Sequence, residues 1–507
     1  MKKSTIKPKI LLINPALSGA LQSGIFTIKV PLGLAYIASY LEKKGYSPEI
    51  LDCMAYYENI IQIDEGKHRI GLPEKDIAKK IKEFRPDIVG VACGYTIHEA
   101  DSMKIAELVK RIDKGIFVVL GGAHTSANPQ LVLKNKNVDL AVLGEGEITF
   151  SKIVENLNNK NKLRKIKGIA FREKDKIHIN PASEYIQNLD ELPFPARHLL
   201  PMEKYLKHPQ NAIANMRSPT TEIITSRGCP FNCIFCSIHT VWGKKWRARS
   251  AKNVVDELEE MNKKYEIKEF RFFDDNLSWD KKRMIEICDE IIKRKLDIKW
   301  DTPNGVAIAT LNEEVLAKMK KAGYYKIVMG IESGSEKTLR FMRKPVSLEH
   351  ARKIIAICNK LGIWTWSTFV VGFPDEDMKE IQKTIDFAKN SGLNFATFYI
   401  AQPYPGTDLC DIYEKEGLLK KGLNLHSSVT ETQYDTHYFS AEQLRTLQKK
   451  AYSDFIKHRM IRYLNPVHLY NEFLNRLRTF EDVKYIFRMF LSLVGREYSP
   501  IYLQKKK

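Results

Sequence analysis

Apolar residues in the first 150 positions fall into short, nearly continuous runs separated by longer amphipathic stretches. The runs are KILLINP (9–15), SPEILD (47–52), PDIVGVAC (86–93), GIFVVLGG (115–122) and VDLAVLGEGE (138–147). Runs this short and this apolar read as strands buried on both faces. Between the first two lies PLGLAYIASYLEKKG (31–45), whose apolar spacing predicts a helix stopped by Gly45; a second helix is expected from about His98 to Arg111. Alternating buried strands and helices predict a doubly wound parallel sheet, in which ligands bind beyond the carboxyl ends of the strands. Those ends carry Asn14-Pro15, Gly94-Tyr95-Thr96, Gly121-Gly122-Ala123-His124 and Gly144-Glu145-Gly146-Glu147. Glycines there allow close backbone approach to a ligand, or simply make tight turns.

The pattern changes after residue 157. NNKNKLRK (158–165) reads as a charged loop, GIAFRE and KIHINP (168–181) as a hairpin, and LDELPFPARHLLP (189–201) as a Pro-punctuated linker. From about 221 to 420 strands and helices alternate again. The strand candidates are Glu222–Ser226, EFRFFDD (269–275), IKWDTPNG (298–305), YKIVMGIESGS (325–335), WSTFVVGFPDE (366–376) and FATFYIAQPYPGT (395–407). Six such units predict a partial (β/α) barrel with its site at the strand C-terminal ends. Asp301 to Asn304, in the third of them, are expected at that mouth. Residues 421–507 read as helical, with Ser440 capping the first helix. Leu469, Phe473, Leu477 and Phe480, and then Val483, Ile486, Phe490 and Val494, recur at helical spacing. This apolar stripe packs on the barrel, or lies in a membrane interface, or does both.

Charge sharpens the second possibility. The 507 residues carry 81 Lys/Arg against 61 Asp/Glu, a net charge of +20, and residues 451–507 hold 11 Lys/Arg against 5 Asp/Glu. Such an excess fits an anionic surface or substrate, or a Lys-rich organism or heat-adapted exterior, since the lysines are spread rather than blocked. No run of 18 apolar residues predicts a membrane span. The basic, then apolar N-terminus is too short in its apolar part for a signal peptide. Eight cysteines in this length are no disulfide framework and point to a reducing compartment.

Three of those cysteines carry the chemistry. Cys229, Cys233 and Cys236 stand in SRGCPFNCIFCS with Cys-x3-Cys-x2-Cys spacing. Three thiolates hold three irons of a four-iron cubane and leave the fourth open. Zinc, with His239 as a fourth ligand, is the competing reading of the local residues. The longer segment TEIITSRGCPFNCIFCS (221–237), with Phe235 before the last cysteine, resembles the cluster loop of the radical S-adenosylmethionine (SAM) superfamily. NPALSG, VPLGLAYIASYLEKKGY, VLGGAHTSANP and VLGEGEITF resemble the cobalamin-binding domain that precedes many radical SAM domains.

The resemblance implies an architecture: a cobalamin-binding-like sheet domain (1–157), a linker with a hairpin (158–220), a radical SAM partial (β/α)6 barrel (221–420) and a basic helical region (421–507). It implies a [4Fe-4S] cluster on Cys229, Cys233 and Cys236. SAM contacts are implied for Phe235, Asp274, Asp275, Asn276, Glu332, Ser333, Arg343 and Gly372. Cobalamin contacts are implied for Gly94, Tyr95, Thr96, Gly121, Gly122, His124, Gly144 and Glu145. One departure matters: NPALSGALQSG, after the first strand, contains no His, so the Asp-x-His-x-x-Gly motif that supplies a cobalt ligand in other cobalamin proteins is absent.

The implied activity is reductive cleavage of SAM to methionine and a 5′-deoxyadenosyl radical that attacks an unactivated carbon. Methyl transfer through cobalamin is the leading outcome; cyclisation or ring contraction without methyl transfer is the alternative. The implied partners are an external one-electron reductant of ferredoxin or flavodoxin type and a hydrophobic, lipid- or tetrapyrrole-like substrate. The implied location is cytoplasmic, with peripheral contact at the cytoplasmic membrane face through the C-terminal region. Lys244 to Arg249 steer an anionic substrate or reductant, or merely close the cluster from solvent. A tRNA methylthiotransferase requires three N-terminal cysteines, and only Cys53 and Cys93 precede Cys229, so nucleic acid is not the expected partner. A non-catalytic cobalamin or iron–sulfur sensor is the rival outside enzymes. Tyr404 and His350 are noted by position only.

Overall fold

The computed structural model describes residues 7–20, 28–64, 67–181, 185–208, 215–419 and 432–494. The chain divides into two compact units. One comprises Met1–Ala214 with Thr240–Gly243 and Met489–Lys507; the other comprises Asn215–His239 with Lys244–Arg488.

The first unit is built on a seven-stranded sheet. Its order is Lys176–Ile179, Ile169–Glu173, Leu140–Val142, Phe117–Gly121, Ile88–Ala92, Ile10–Asn14, Pro48–Asp52. The last five are mutually parallel, in chain order 2-1-3-4-5 read from the Pro48–Asp52 edge. Strand alternation explains why the runs are apolar throughout. Leu11 and Ile13 point into one core with Ile77, Ile81, Ile105 and Val109. Ile10 and Leu12 point into the other with Leu34, Ala38, Leu41, Phe150 and Ile153. The two expected helices are present as Leu32–Lys43 and Glu99–Ile112, and Gly45 follows the first at φ 80°, the left-handed stop that glycine favours.

Three features differ from the sequence reading. The hairpin expected in the connecting region pairs antiparallel with Leu140–Val142 and extends the first sheet. The 158–165 loop contains one helical turn, Lys160–Leu163, capped by Asn159. A helix, Glu74–Phe84, and a small antiparallel sheet of Leu17–Ala20, Ile60–Asp64 and Lys67–Ile70 were not anticipated; the helix does carry its signal in Ile77, Ile81 and Phe84, spaced i, i+4 and i+7, whereas the short strands lack a clean apolar period.

The second unit holds six parallel strands in sequential order: Thr220–Ile223, Glu269–Phe272, Lys299–Val306, Tyr324–Glu332, Trp364–Val371 and Phe395–Ile400. Among the described residues the first and last strands do not pair, so this is an open partial barrel. The helices that return the chain are Ala251–Tyr265, Lys281–Lys293, Glu313–Lys321, Leu348–Leu361 and Met378–Asn390. Each opens on a side-chain cap: Ser250, Asp280, Asn312, Ser347 and Asp377 in turn.

The amino ends of these strands enclose a buried ionic group. Asp301 lies 2.9 Å from Lys326 and 3.4 Å from Arg271, while Glu269 accepts from Tyr325 Oη and the Arg217 amide, both at 2.7 Å. Asp301 therefore sits near the start of its strand and not at the mouth. Tyr485 sets its ring edge-on to Tyr325 at 5.6 Å, and the Arg476 guanidinium lies 5.2 Å above Trp364. The C-terminal helices thus close the barrel floor. Their stripe is broken, however: a helix over Pro466–Glu472 gives way to a 3-10 turn at Leu474–Arg476 before the helix Phe480–Val494.

Candidate active site

In the second unit the first strand ends at Ile223, and the chain then makes a short ladder, Ser226–Arg227 against Arg247–Ala248, on either side of the cysteine segment. Asp274, buried after the second strand, fixes this turn. It accepts from Thr225 Oγ1 at 2.7 Å, the Thr225 amide at 3.1 Å and Ser226 Oγ at 2.5 Å. Ile234 ties the loop further, its amide donating to Met342 O at 3.1 Å and its carbonyl accepting from the Leu409 amide at 2.9 Å. Phe235 lies 6.2 Å from Phe373, the neighbour of Gly372. The cysteine loop is thereby held against the ends of strands four, five and six.

Cys229, Cys233 and Cys236 are free and half-buried. Burial raises all three thiols, Cys236 to about 12, so the metal-free loop holds protons that a cluster displaces. Among the described residues no three His, Cys, Asp or Glu side chains converge to hold a single ion. His239 Nε2 lies 3.1 Å from Cys229 O, directed at the backbone. Both points disfavour zinc. A cubane fits the donor set, because each thiolate binds a separate iron.

The polar residues around the loop divide into two groups. Burial pushes the Asp275 carboxyl up to about 7, with Asp274 adding to it, and its charge is felt by Cys229 and Cys236. Asn276 Nδ2 lies 4.0 Å from Cys229 Sγ. Glu332, at φ 68°, accepts from Thr368 Oγ1 at 3.1 Å and pairs with Lys344 at 3.4 Å. Burial works against the Lys344 charge, but Glu332, Cys233 and Cys236 hold its pKa above the ordinary value. These residues face the thiols. Asp274, Ser333 and Arg343 do not serve the mouth in the same way. Asp274 is committed to the turn. The buried Ser333 hydroxyl lies 2.8 Å from Thr384 Oγ1, and Arg343 is half-exposed and paired with Asp408. The cation beside the cysteines is Lys344, the residue after Arg343 and not one the sequence singled out. Gly372, at φ 83°, donates its amide to Glu376 at 2.7 Å, and a Cβ there would meet Leu444 at 2.8 Å.

In the first unit the strands Ile10–Asn14 and Ile88–Ala92 are neighbours where the sheet order reverses, which places a crevice beyond their carboxyl ends. Asn14 Nδ2 donates to Asp52 at 2.8 Å there. Burial raises Asp52 to about 7, and its Oδ2, enclosed by protein, has no hydrogen-bond partner. Gly94 has no atom within 4 Å of a built Cβ, and Tyr95 is exposed. Gly122 is at φ 124° and Gly144 at φ 73°, conformations that favour glycine. A Cβ at Gly122 would strike Cys93 O at 2.6 Å, whereas Gly121 has only Val142, at 3.7 Å. Thr96 Oγ1 lies 3.2 Å from His124 Nδ1, and Glu99 lies 3.3 Å from His124 Nε2. Glu145 accepts from the Ile186 amide at 2.7 Å and so serves the fold. The open glycine backbone and the uncommitted Asp52 oxygen suit a large ligand with amide arms. With the His124 ring fully buried and no His in the Asn14–Gly24 segment, cobalamin fits without a His ligand from either.

Comparison with known proteins agrees with both halves. The Radical SAM superfamily model matches residues 223–388, and the B12 binding domain model matches residues 27–154. The chain is 36% identical over 460 residues to the uncharacterized methyltransferase PH0819 of Pyrococcus horikoshii, covering 90% of this chain and 93% of that one. It is 34% identical over 442 residues to the cytidylyl-2-hydroxyethylphosphonate methyltransferase of Streptomyces wedmorensis, covering 79% and 80%. The fold resembles the cobalamin-dependent S-adenosylmethionine radical enzyme OxsB, solved with aqua-cobalamin and SAM bound. The TM-score is 0.72 at 17% identity, over 98% of this chain and 72% of that one.

Proposed function

The chain belongs to the radical SAM enzymes that carry a cobalamin-binding domain, and from that premise we propose that it methylates an unactivated carbon of a hydrophobic substrate. Its cofactors are a [4Fe-4S] cluster, SAM and cobalamin. When bound, the cluster and SAM supply a 5′-deoxyadenosyl radical, and cobalamin carries the methyl group.

The roles of the chain's own residues follow from their placement. Cys229, Cys233 and Cys236 would hold the cluster and leave one iron open for SAM. Lys344, kept charged by Glu332, is placed to neutralise a carboxylate beside the thiols. Asp275 and the Asn276 region offer acceptors for an ammonium. Phe235, beside Phe373, offers ring surface for a purine, while Gly372 turns the chain there with its amide held by Glu376. Gly94, Tyr95, Thr96 and Asp52 would line the cobalamin crevice. The observation that carries the reading is the three-thiol loop fixed across the mouth of an open parallel barrel, with the Lys344–Glu332 pair against it.

The hydrophobic character of the substrate is supported by the barrel's aromatic inner wall. Phe369 and Phe398 stack outward at 5.4 Å, so by alternation Tyr399 faces inward toward the mouth, while Trp366 and Phe395, 5.3 Å apart, line the inner wall nearer the floor. An external one-electron reductant, of ferredoxin or flavodoxin type, is required. The proposed location is cytoplasmic with peripheral membrane contact, in line with a substrate that partitions into lipid. No helix among the described residues is long and apolar enough to cross a membrane.

The test is anaerobic turnover of the fully loaded protein with methyl-labelled SAM and a low-potential reductant. Methyl transfer gives 5′-deoxyadenosine and S-adenosylhomocysteine in equal amounts. The cyclase-type alternative gives 5′-deoxyadenosine without S-adenosylhomocysteine.

A further inference from the structure

The C-terminal cap of the second unit is apolar on two sides. Its inward side packs on the barrel floor through Tyr485, Phe473 and Arg476, which contact Trp364. Along the cap, large apolar residues are exposed in two groups. Ile461, Leu464, Val467 and Tyr470 span the end of the Ala441–Arg462 helix and the Pro466–Glu472 helix, and Leu464 is 82% exposed. Phe480, Val483 and Phe487 recur at i, i+3 and i+7 on the next helix, and Phe480 is 73% exposed. Single exposed apolar residues are ordinary, but these seven and Leu474, eight within 27 positions, are not.

The charges around them are one-sided. Residues 457–488 carry seven Lys/Arg against three Asp/Glu. All three acids are committed locally. Glu472 is buried against Arg459 and Arg462, each at 2.8 Å. Glu481 pairs with Arg217 at 2.9 Å, and Asp482 accepts from the Thr479 amide at 2.9 Å. The exposed cations are Lys457, Arg478 and Lys484, the last lying 4.5 Å over the Phe480 ring. An outward apolar face flanked by cations complements an anionic lipid surface, into which the rings insert while the Lys and Arg heads remain among phosphates. The same positive charge disfavours a second copy of this chain on that face.

We propose that this face, with Leu464, Phe480 and Phe487 as its inserting residues, docks the enzyme on an anionic bilayer. This deepens the membrane location proposed above; it names the surface and the lipid chemistry, and it does not depend on the reaction.

The experiment is vesicle co-sedimentation of the cluster-loaded full chain. Vesicles of phosphatidylcholine alone are compared with vesicles containing phosphatidylglycerol, at 50 and 500 mM salt. The expected result is binding to the anionic vesicles that weakens at high salt. A triple Leu464→Glu, Phe480→Glu, Phe487→Glu variant should bind at least tenfold more weakly while retaining its iron content and SAM cleavage. A Lys457→Glu, Lys484→Glu variant, which leaves the apolar face intact, should lose the preference for anionic lipid. Absence of wild-type binding at 50 mM salt overturns the proposal, as does equal binding by the triple variant. A concentration-dependent dimer that the triple variant abolishes would assign the face to a second copy and also overturn it. If SAM cleavage fails while vesicle binding persists, the enzymatic reading falls and the docking face stands.

Discussion

Lys344 Nζ lies 3.4 Å from Glu332 Oε1, and that carboxylate helps hold the buried ammonium protonated. Arg343, its neighbour, is turned out to Asp408. The pair therefore separates two adjacent cations by function. Losing a charge-assisted contact costs about 1.5–3 kcal/mol, so Lys344→Met should weaken SAM binding by roughly 10- to 150-fold. Iron content should be unchanged. Arg343→Ala should bind SAM within about fivefold of the parent, as surface pairs contribute at most about 1 kcal/mol. Equilibrium binding of SAM to the loaded protein, compared across the two variants, checks the assignment; the reverse order would refute it.

The cysteines yield a sharper contrast. Cys229→Ala, Cys233→Ala and Cys236→Ala should each lose the cluster and all 5′-deoxyadenosine formation. Cys410 is the other thiol that is not fully buried, and burial raises it to about 11. Cys410→Ala should keep its iron and its activity. Iron analysis and the visible cluster absorbance read both outcomes.

How much of this was legible from the chain depends on the kind of signal. Both sheets were legible because buried parallel strands write themselves as continuous apolar runs, and the Cys-x3-Cys-x2-Cys loop is specific. The partners of polar residues were not. Asp274, Asp275 and Asn276 are consecutive, yet Asp274 turns back to Thr225 and Ser226 while Asp275 is felt by the thiols. Arg343 and Lys344 differ by one position, and only the left-handed turn at Arg343, φ 54°, decides which faces inward. Asp52 carried no motif at all; its role emerges from the strand order that sets it beside Asn14.

Asp52 gives a pH prediction. Its folded pKa, about 7, is raised by burial above the ordinary value near 3.8. For a carboxyl raised on folding, the native state binds the extra proton, so stability falls as pH rises from about 4 to 7 and stays reduced above that. Asp52→Asn removes the titration and can keep the acceptor for Asn14. In cobalamin-free protein, the melting temperature of Asp52→Asn relative to the parent should rise between pH 5 and pH 8. The bound on the effect is on the order of 4 kcal/mol, at 1.36 kcal/mol per pKa unit. A parallel shift of both proteins across that range would contradict the assignment.

Ser440 caps the Ala441–Arg462 helix with a reciprocal bond to Gln443. Ser440→Ala should cost about 1 kcal/mol. The loss should appear as faster amide exchange in the first turn of that helix, with iron content unaffected, because the cap lies in the C-terminal region rather than at the cysteine loop.

The central claim is that one chain holds both a site-differentiated iron–sulfur cluster and cobalamin without a His ligand. Anaerobic reconstitution with iron, sulfide and hydroxocobalamin, followed by metal analysis and electron paramagnetic resonance of the reduced cobalt, tests it most directly. The account predicts four irons and one cobalamin per chain, with any nitrogen splitting of the cobalt(II) spectrum unchanged when the protein is labelled with 15N, because cobalamin's own benzimidazole is then its only source. Four irons with no retained cobalamin, or a cobalt(II) splitting that changes with 15N labelling of the protein, would contradict it.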